Sequence, residues 1–380
     1  MVELIKGPIY EHKQTKKLLH YLPSRSMVFL WHEDLDGVAV DGLIAAKVKA
    51  VVNGRASMSG RYNQHHVRNL LRAGIPVFDI TSLNVIEGKE LYQGEEAIIF
   101  QNELYIQGFE ESEPTYIAKL VAYSDELIEL KDKQAVANYS QLFQDFVHNT
   151  LSYAKKECDW FTEHVTIPSS FHTIKDKEVF IVARNTNYEK DIRALRHALL
   201  KKEVVIVAVD GAADGLLKQR ICPDFIIGDM DSISAQAFEC GATLLCHEHP
   251  NGSSPGRDRL EQLGYQVETI KFVGTSEDVA ITASYLSGAN HIFLIGCRIG
   301  MTEFLEKGRP GMGSTWLSRI QAGEKLTDLK GIHTLMGKGN VFSLAWRRNN
   351  RFKTKIVKSI QNLLPDKITP WKKKEVLRHD

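Results

Sequence analysis

In "PDFIIGDMDS" (Pro223–Ser232) two aspartates stand one residue apart, directly after a short apolar run. So apolar a run reads as a strand covered on both faces, and its end is where a buried strand meets solvent. The arrangement recurs nearby. "VVIVAVDGAAD" ends in Asp210 and Gly211, "KFVGTSEDVA" in Gly274, Thr275, Ser276, Glu277 and Asp278, and "FLIGCRIG" in Gly296, Arg298 and Gly300. If these runs share a sheet, Asp210, Asp229, Asp231 and Asp278 converge on one edge. Carboxylates that close raise one another's pKa unless a cation sits among them. Mg²⁺ suits them, because it takes oxygen ligands from one or two carboxylates and leaves room for substrate phosphates. Asp210, Asp229 and Asp231 are the expected metal ligands. Gly211 and Gly228 let backbone N–H groups approach a phosphate, with Ser232, Thr275, Ser276 and Arg298 beside them. The chemistry of such a site is phosphoryl or pyrophosphoryl transfer, where positioning and charge neutralisation do most of the catalysis. Each acid also has a plain structural reading. Asp210 before glycine makes a turn, Asp231–Ser232 caps a helix, and Thr275 with Asp278 has capping-box spacing. The chain has no G-x-x-x-x-G-K-[ST] loop, which excludes a P-loop enzyme.

Three further stretches could hold an anion or a metal. "EKGRPGMGSTW" sets Lys307, Arg309, Gly311, Gly313, Ser314 and Thr315 ahead of a helix, which reads either as a polyphosphate cradle or as a capped glycine loop. "NGRASMSGRYNQHH" offers Arg55, Ser57, Ser59, Arg61 and a His65–His66 pair to an anion. The acidic turn "HEDLD" reads as a solvated helix start, with metal binding as its alternative.

The elements that must position these residues follow from periodicity. Residues 1–132 read as an α/β domain. A strand Met27–Trp31, a helix Gly37–Ala46, a strand Val48–Asn53, a second helix and "IPVFDI" form an open unit, followed by β-hairpins. Residues 133–169 read as a linker helix with Val136, Tyr139, Leu142, Phe143, Phe146, Val147, Leu151, Tyr153 and Ala154 at helical spacing. Residues 170–336 alternate apolar runs ("EVFIVAR", "EVVIVAVD", "DFIIGD", "TIKFVG", "HIFLIG") with polar helical stretches, the pattern of a Rossmann-like parallel sheet covered on both faces. Residues 337–380 form a basic tail whose "NRFKTKIVKSIQNLL" is amphipathic.

Composition narrows the class. At 380 residues, 43% hydrophobic and 25% charged, the chain is an ordinary globular protein of two or three domains. Net charge is +1, yet from Gly331 onward 12 Lys/Arg face 3 Asp/Glu, leaving residues 1–330 at −8. An acidic body with a basic tail makes the tail the surface for anionic lipid or a partner, and no nucleic-acid partner is expected. Five cysteines without C-x-x-C spacing or a secretory signal read as reduced thiols of a cytoplasmic protein. The longest apolar run is "VVIVAV", far below the roughly 20 residues of a spanning helix.

"VDGAADGLLKQRICPDFIIGDMDS" resembles the catalytic region of thiamin pyrophosphokinases, with its Asp-Gly turn, Pro-Asp and Gly-Asp-x-Asp-Ser. Together with "HEDLDGVAVDGLIAAKVKAVVNGRASMSGRY", "GTSEDVA" and "EFLEKGRPGMGSTWLSRIQAGEKLTDLKG", the chain resembles the SteA-type cytokinetic-ring proteins, which carry such a domain. The resemblance covers most of residues 20–335. It implies Mg²⁺ and ATP, or another nucleotide, at the carboxylate edge, matching Asp210, Asp229, Asp231 and Asp278. It also implies a homodimer and a role in cell division at the septum, with a division partner or the membrane surface. Two departures bear on turnover. "GCRIGMTEFLEKG" keeps Arg298 but lacks the Asp-His pair of pyrophosphokinases, and the β-sandwich that helps form their thiamin pocket has no counterpart.

Overall fold

In the computed structural model, residues 4–84, 91–108, 113–163, 165–230 and 233–336 are described. Seven strands of the N-terminal part close into a barrel: β1 (Ile5–Glu11), β2 (Met27–Leu30), β3 (Ala50–Asn53), β4 (Val77–Leu83), β5 (Gln93–Phe100), β6 (Glu103–Gln107) and β7 (Thr115–Ala122). Their order is β1-β2-β3-β4-β7-β6-β5. β1 to β4 pair in parallel and the rest antiparallel. This corrects the open unit expected from the sequence. The hairpin strand β5 returns to pair antiparallel with β1, Ile5 opposite Ile99, and removes both sheet edges. Burial follows the pairing. "MVFL" and "AVVN" are buried at every position, because Met27, Phe29, Ala50 and Val52 fill the barrel while Val28, Leu30 and Val51 meet helices outside it. The hairpin strand β5 alternates in burial, with one face to water.

The second sheet holds β8 (Glu178–Val182), β9 (Val204–Val209), β10 (Phe225–Gly228), β11 (Thr243–Glu248), β12 (Glu268–Lys271), β13 (His291–Ile295) and β14 (Leu326–Asp328). All neighbours are parallel, in the order β12-β11-β10-β9-β8-β13-β14. The alternation of apolar runs and helices anticipates this sheet. It misses β11, whose "TLLCHE" carries polar residues, and the three-residue β14. Val179, Ile181, Val207 and Ile227 pack on one face with the helix Ser276–Leu286, and Phe180, Val182, Ala208 and Ile226 on the other with the helices Tyr188–Ala194 and Ala212–Lys218. Strand order reverses between β8 and β13, and in open α/β sheets ligands bind at the carboxyl ends of the strands beside such a reversal.

Between the two sheets in sequence runs one helix, Asp125–Thr162, capped by Ser124 accepting from Leu127 N–H. It begins earlier than its apolar spacing indicates. Ile128, Ala135, Phe146, Thr150 and Ala154 are its buried positions, whereas Val136, Tyr139, Phe143, Val147 and Leu151 are exposed. Residues Met1–Lys330 form one compact unit and Gly331–Asp380 another. In the latter the helix Ile332–Met336 is described, and the amphipathic tail stretch lies outside the described residues.

Candidate functional site

β9 and β10 are neighbours, so their terminal acids are too. Asp210 takes φ = 46° just past β9, donates its N–H to Ile227 O (3.0 Å) and accepts Met230 N–H on Oδ1 (3.1 Å). Its carboxylate lies against Gly228, where an added Cβ would overlap it. Glycine at 228 is therefore a steric requirement, beyond the flexibility the sequence reading assigns it. Asp229 and Met230 (φ = 58°) turn the chain away from the sheet. Their backbone is gripped from a second element: Gly256 abuts the Asp229 carbonyl with no room for a Cβ, and the Arg259 guanidinium donates to Met230 O (3.2 Å). Cys246, on β11 opposite Gly228, reports the same neighbourhood. Burial pushes its thiol up to about 12, and the charges acting on it include Arg257, Asp210 and Asp229. Gly211 precedes the helix Ala212–Lys218. Asp231 and Ser232 lie outside the described residues. Among the described residues, no three His, Cys, Asp or Glu side chains gather closely enough to hold a metal ion.

Asp278 is engaged elsewhere. It sits in a capping box, accepting Thr275 N–H (2.9 Å) while its own N–H donates to Thr275 Oγ1 (3.2 Å). Thr315 Oγ1 donates to the same carboxylate oxygen, Oδ2 (2.9 Å). Burial pushes its pKa up, against the hydrogen bonds from Thr275 and Thr315. Asp278 thus ties the helix Ser276–Leu286 to the helix Gly313–Ala322. The glycine loop before that second helix packs on the long helix: a Cβ at Gly313 would lie 2.6 Å from Ala154 N, and one at Gly311 2.9 Å from Thr150 N. Ser314 Oγ donates to Glu157. Ser314 and Thr315 are both buried, Ser276 is half-buried, and Arg309 is exposed with its N–H on Phe304 O.

At the β8–β13 reversal, Arg298 is held by Glu277. Its N–H donates to Glu277 Oε2 (2.7 Å), its guanidinium pairs with the same carboxylate, and Nη2 donates to Arg184 O (2.9 Å). Burial pushes the Glu277 pKa up, and Arg298 opposes it. Beside it Glu303 accepts from Asn185 Nδ2 (2.6 Å), Ile299 N–H, Gly300 N–H and Lys330 Nζ. Glu303 stands in the stretch that departs from the Asp-His pattern. Glu157, Gly256, Arg259 and Glu303 are site neighbours that spacing alone does not reveal. Glu277, adjacent to Asp278, is the one a strand-end reading brings into view.

Most polar side chains of the barrel motifs make internal contacts, while Arg61 and His65 are exposed. Asp36 caps the helix Gly37–Ala45 through Ala39 N–H (2.8 Å) and pairs with Lys307 (2.7 Å). Burial pushes the Asp36 pKa up, but Lys307 and the Ala39 bond outweigh it and hold the carboxyl at about 2. His66 Nε2 meets Glu306 Oε1 (2.7 Å), and Gly37 abuts Thr186. Asp34 accepts from Ser59 N–H (2.7 Å) and Oγ (2.8 Å), and Asp79 from Ser57 N–H. "HEDLD" is therefore not a solvated helix start, since Asp34, Leu35 and Asp36 are buried.

Residues 196–250 match the thiamin pyrophosphokinase catalytic domain, and this part of the chain is thiamin pyrophosphokinase-like. A curated relative, the 6-hydroxymethyl-7,8-dihydropterin pyrophosphokinase of Methanocaldococcus jannaschii, is 31% identical over 105 residues, which cover 26% of this chain and 40% of that protein. Among solved structures, the thiamine pyrophosphokinase of Bacillus subtilis aligns over 40% of this chain and 60% of its own (18% identity, TM-score 0.26). The Geobacillus thermodenitrificans thiamin pyrophosphokinase aligns over 40% and 58% (17% identity, TM-score 0.25). The chain thus spans less than two thirds of each of these proteins.

Proposed function

We propose that the carboxyl edge at Asp210 and Asp229 binds an ATP-type nucleotide with Mg²⁺, in a SteA-type protein that acts in bacterial cell division as a nucleotide-responsive module. The observation that carries this is the pairing of the two acids at adjacent strand ends, within the stretch that matches a pyrophosphokinase catalytic domain. The donors there are carboxylate oxygens, the hard ligands Mg²⁺ prefers. Asp210, Asp229 and Asp231 would hold the ion, which when bound neutralises phosphate charge. The chain's own contribution is preorganisation: Gly228 and Met230 N–H fix the Asp210 carboxylate, and Gly256 and Arg259 fix the turn that carries Asp229. In this reading the basic tail contacts anionic lipid or a division partner, and the protein acts as a homodimer at the septum.

The second reading is an active pyrophosphokinase that transfers pyrophosphate from ATP to thiamin or another small alcohol. The likeness to a pterin pyrophosphokinase favours it. Against it stand the missing Asp-His pair and the commitment of Arg298 to Glu277. A thermal-shift panel of nucleotides with and without Mg²⁺ tests the site. A nucleotide at a hundred times its Kd stabilises by about 2.7 kcal/mol, and the shift is expected to vanish in Asp229→Asn/Asp231→Asn. The absence of a Mg²⁺-dependent shift in the wild type refutes the nucleotide reading. AMP release on adding thiamin or a pterin alcohol distinguishes enzyme from module.

A further inference from the structure

Cys222 stands just before β10, and Cys240 just after the short helix Ala235–Phe238. The Cys222 thiol donates to the Cys240 carbonyl oxygen (2.8 Å), so it lies directly against the second cysteine, whose side chain acts on its titration. Cys222 is exposed and Cys240 half-buried, so a small disulfide can reach the pair; Cys246 and Cys297 are sealed in the core, and Cys158 lies on the long helix. We propose that Cys222 and Cys240 form a reversible disulfide, a redox modification site that closes residues 223–239, with β10 and Asp229, into a covalent loop. The oxidant is a low-molecular-weight disulfide such as oxidised glutathione. One thiolate attacks a sulfur of the oxidant, forming a mixed disulfide and expelling one glutathione thiolate. The second cysteine, deprotonated, attacks the protein-bound sulfur and expels the other. Two thiols are oxidised, one external disulfide is reduced, and two protons leave.

The titratable groups acting on Cys222 are Cys240 and Asp224. Burial first, then the Cys240 hydrogen bond and these charges, push its thiol up to about 11. The thiolate is scarce at neutral pH, so the rate of closure should rise about tenfold per pH unit between pH 7 and 9. The pair lies at the opposite end of β10 from Asp229 and does not depend on nucleotide binding.

The test is a peptide mass map of full-length protein equilibrated with reduced and oxidised glutathione at pH 8 and then alkylated. A linked Cys222–Cys240 peptide that dithiothreitol removes is expected, also in Cys158→Ser, and it should be lost in Cys222→Ser and in Cys240→Ser. The proposal is overturned if both cysteines stay alkylatable at the most oxidising ratio. It is equally overturned if they carry only glutathione adducts, or if either pairs with Cys158 between molecules.

Discussion

Asp210 and Gly228 make one unit from two strands. The aspartate holds a left-handed backbone and lays its carboxylate where any side chain at 228 would sit, and Met230 N–H then locks it. Gly228 has φ = 156°, itself outside the range that residues with a Cβ adopt easily. In Gly228→Ala the Asp210 carboxylate must move or the strand end must shift. Strain and overpacking together should cost about 2–4 kcal/mol, read as a lowered midpoint in urea unfolding. An unchanged midpoint would mean that Asp210 is free to swing away. The sequence marks both residues as special, but not that they touch. That contact requires β9 and β10 to be neighbours.

At the scale of elements, the helices Ser276–Leu286 and Gly313–Ala322 are joined by a buried carboxylate. Asp278 caps its own helix and accepts from Thr315 on the other, with no solvent exposure at all. A buried acceptor that loses a donor keeps its desolvation cost without compensation. Thr315→Val preserves shape and removes that donor, so it should destabilise by about 1–3 kcal/mol in chemical denaturation. An effect below about 0.5 kcal/mol would mean that water replaces the hydroxyl. The capping box is legible from Thr-x-x-Asp spacing. The role of "GMGST" is not, because a glycine loop before a helix has the same sequence whether it cradles phosphate or packs on a helix. Contact of Gly311 and Gly313 with Thr150, Tyr153 and Ala154 gives it the second role in this structure.

Across the whole molecule, barrel and parallel sheet are joined by Asp36–Lys307, His66–Glu306 and the Gly37–Thr186 approach. Asp36 is buried, and its folded pKa of about 2 lies below the ordinary 3.8. A depressed carboxylate pKa contributes stability above the unfolded value, which is lost as pH falls from about 4 toward 2. Asp36→Asn keeps the helix cap and removes the charge. It should cost about 2 kcal/mol at pH 7, with the difference from wild type narrowing below pH 4. Lys307→Met should cost a similar amount, and the double variant much less than the sum. Additive losses would show that the two lobes are not coupled through this pair.

The sequence by itself determined most of the parallel sheet and the strand ends at Asp210 and Asp229. Strands buried on both faces are mostly apolar, and polar residues return mainly where those strands end, as at Asp210 and Asp229. It also determined the helix starts at Asp36 and Thr275, since a cap is a contact within one turn, whereas the start at Ser124 lies about two turns ahead of the apolar spacing that marks that helix. Only the tertiary structure decided that the barrel closes, because the pairing of Ile5 with Ile99 joins segments whose local patterns do not name each other. It alone decided which acids meet a cation. Asp36 finds Lys307, and Glu277 finds Arg298, because the fold brings distant segments within hydrogen-bond reach, and no spacing along the chain encodes that approach.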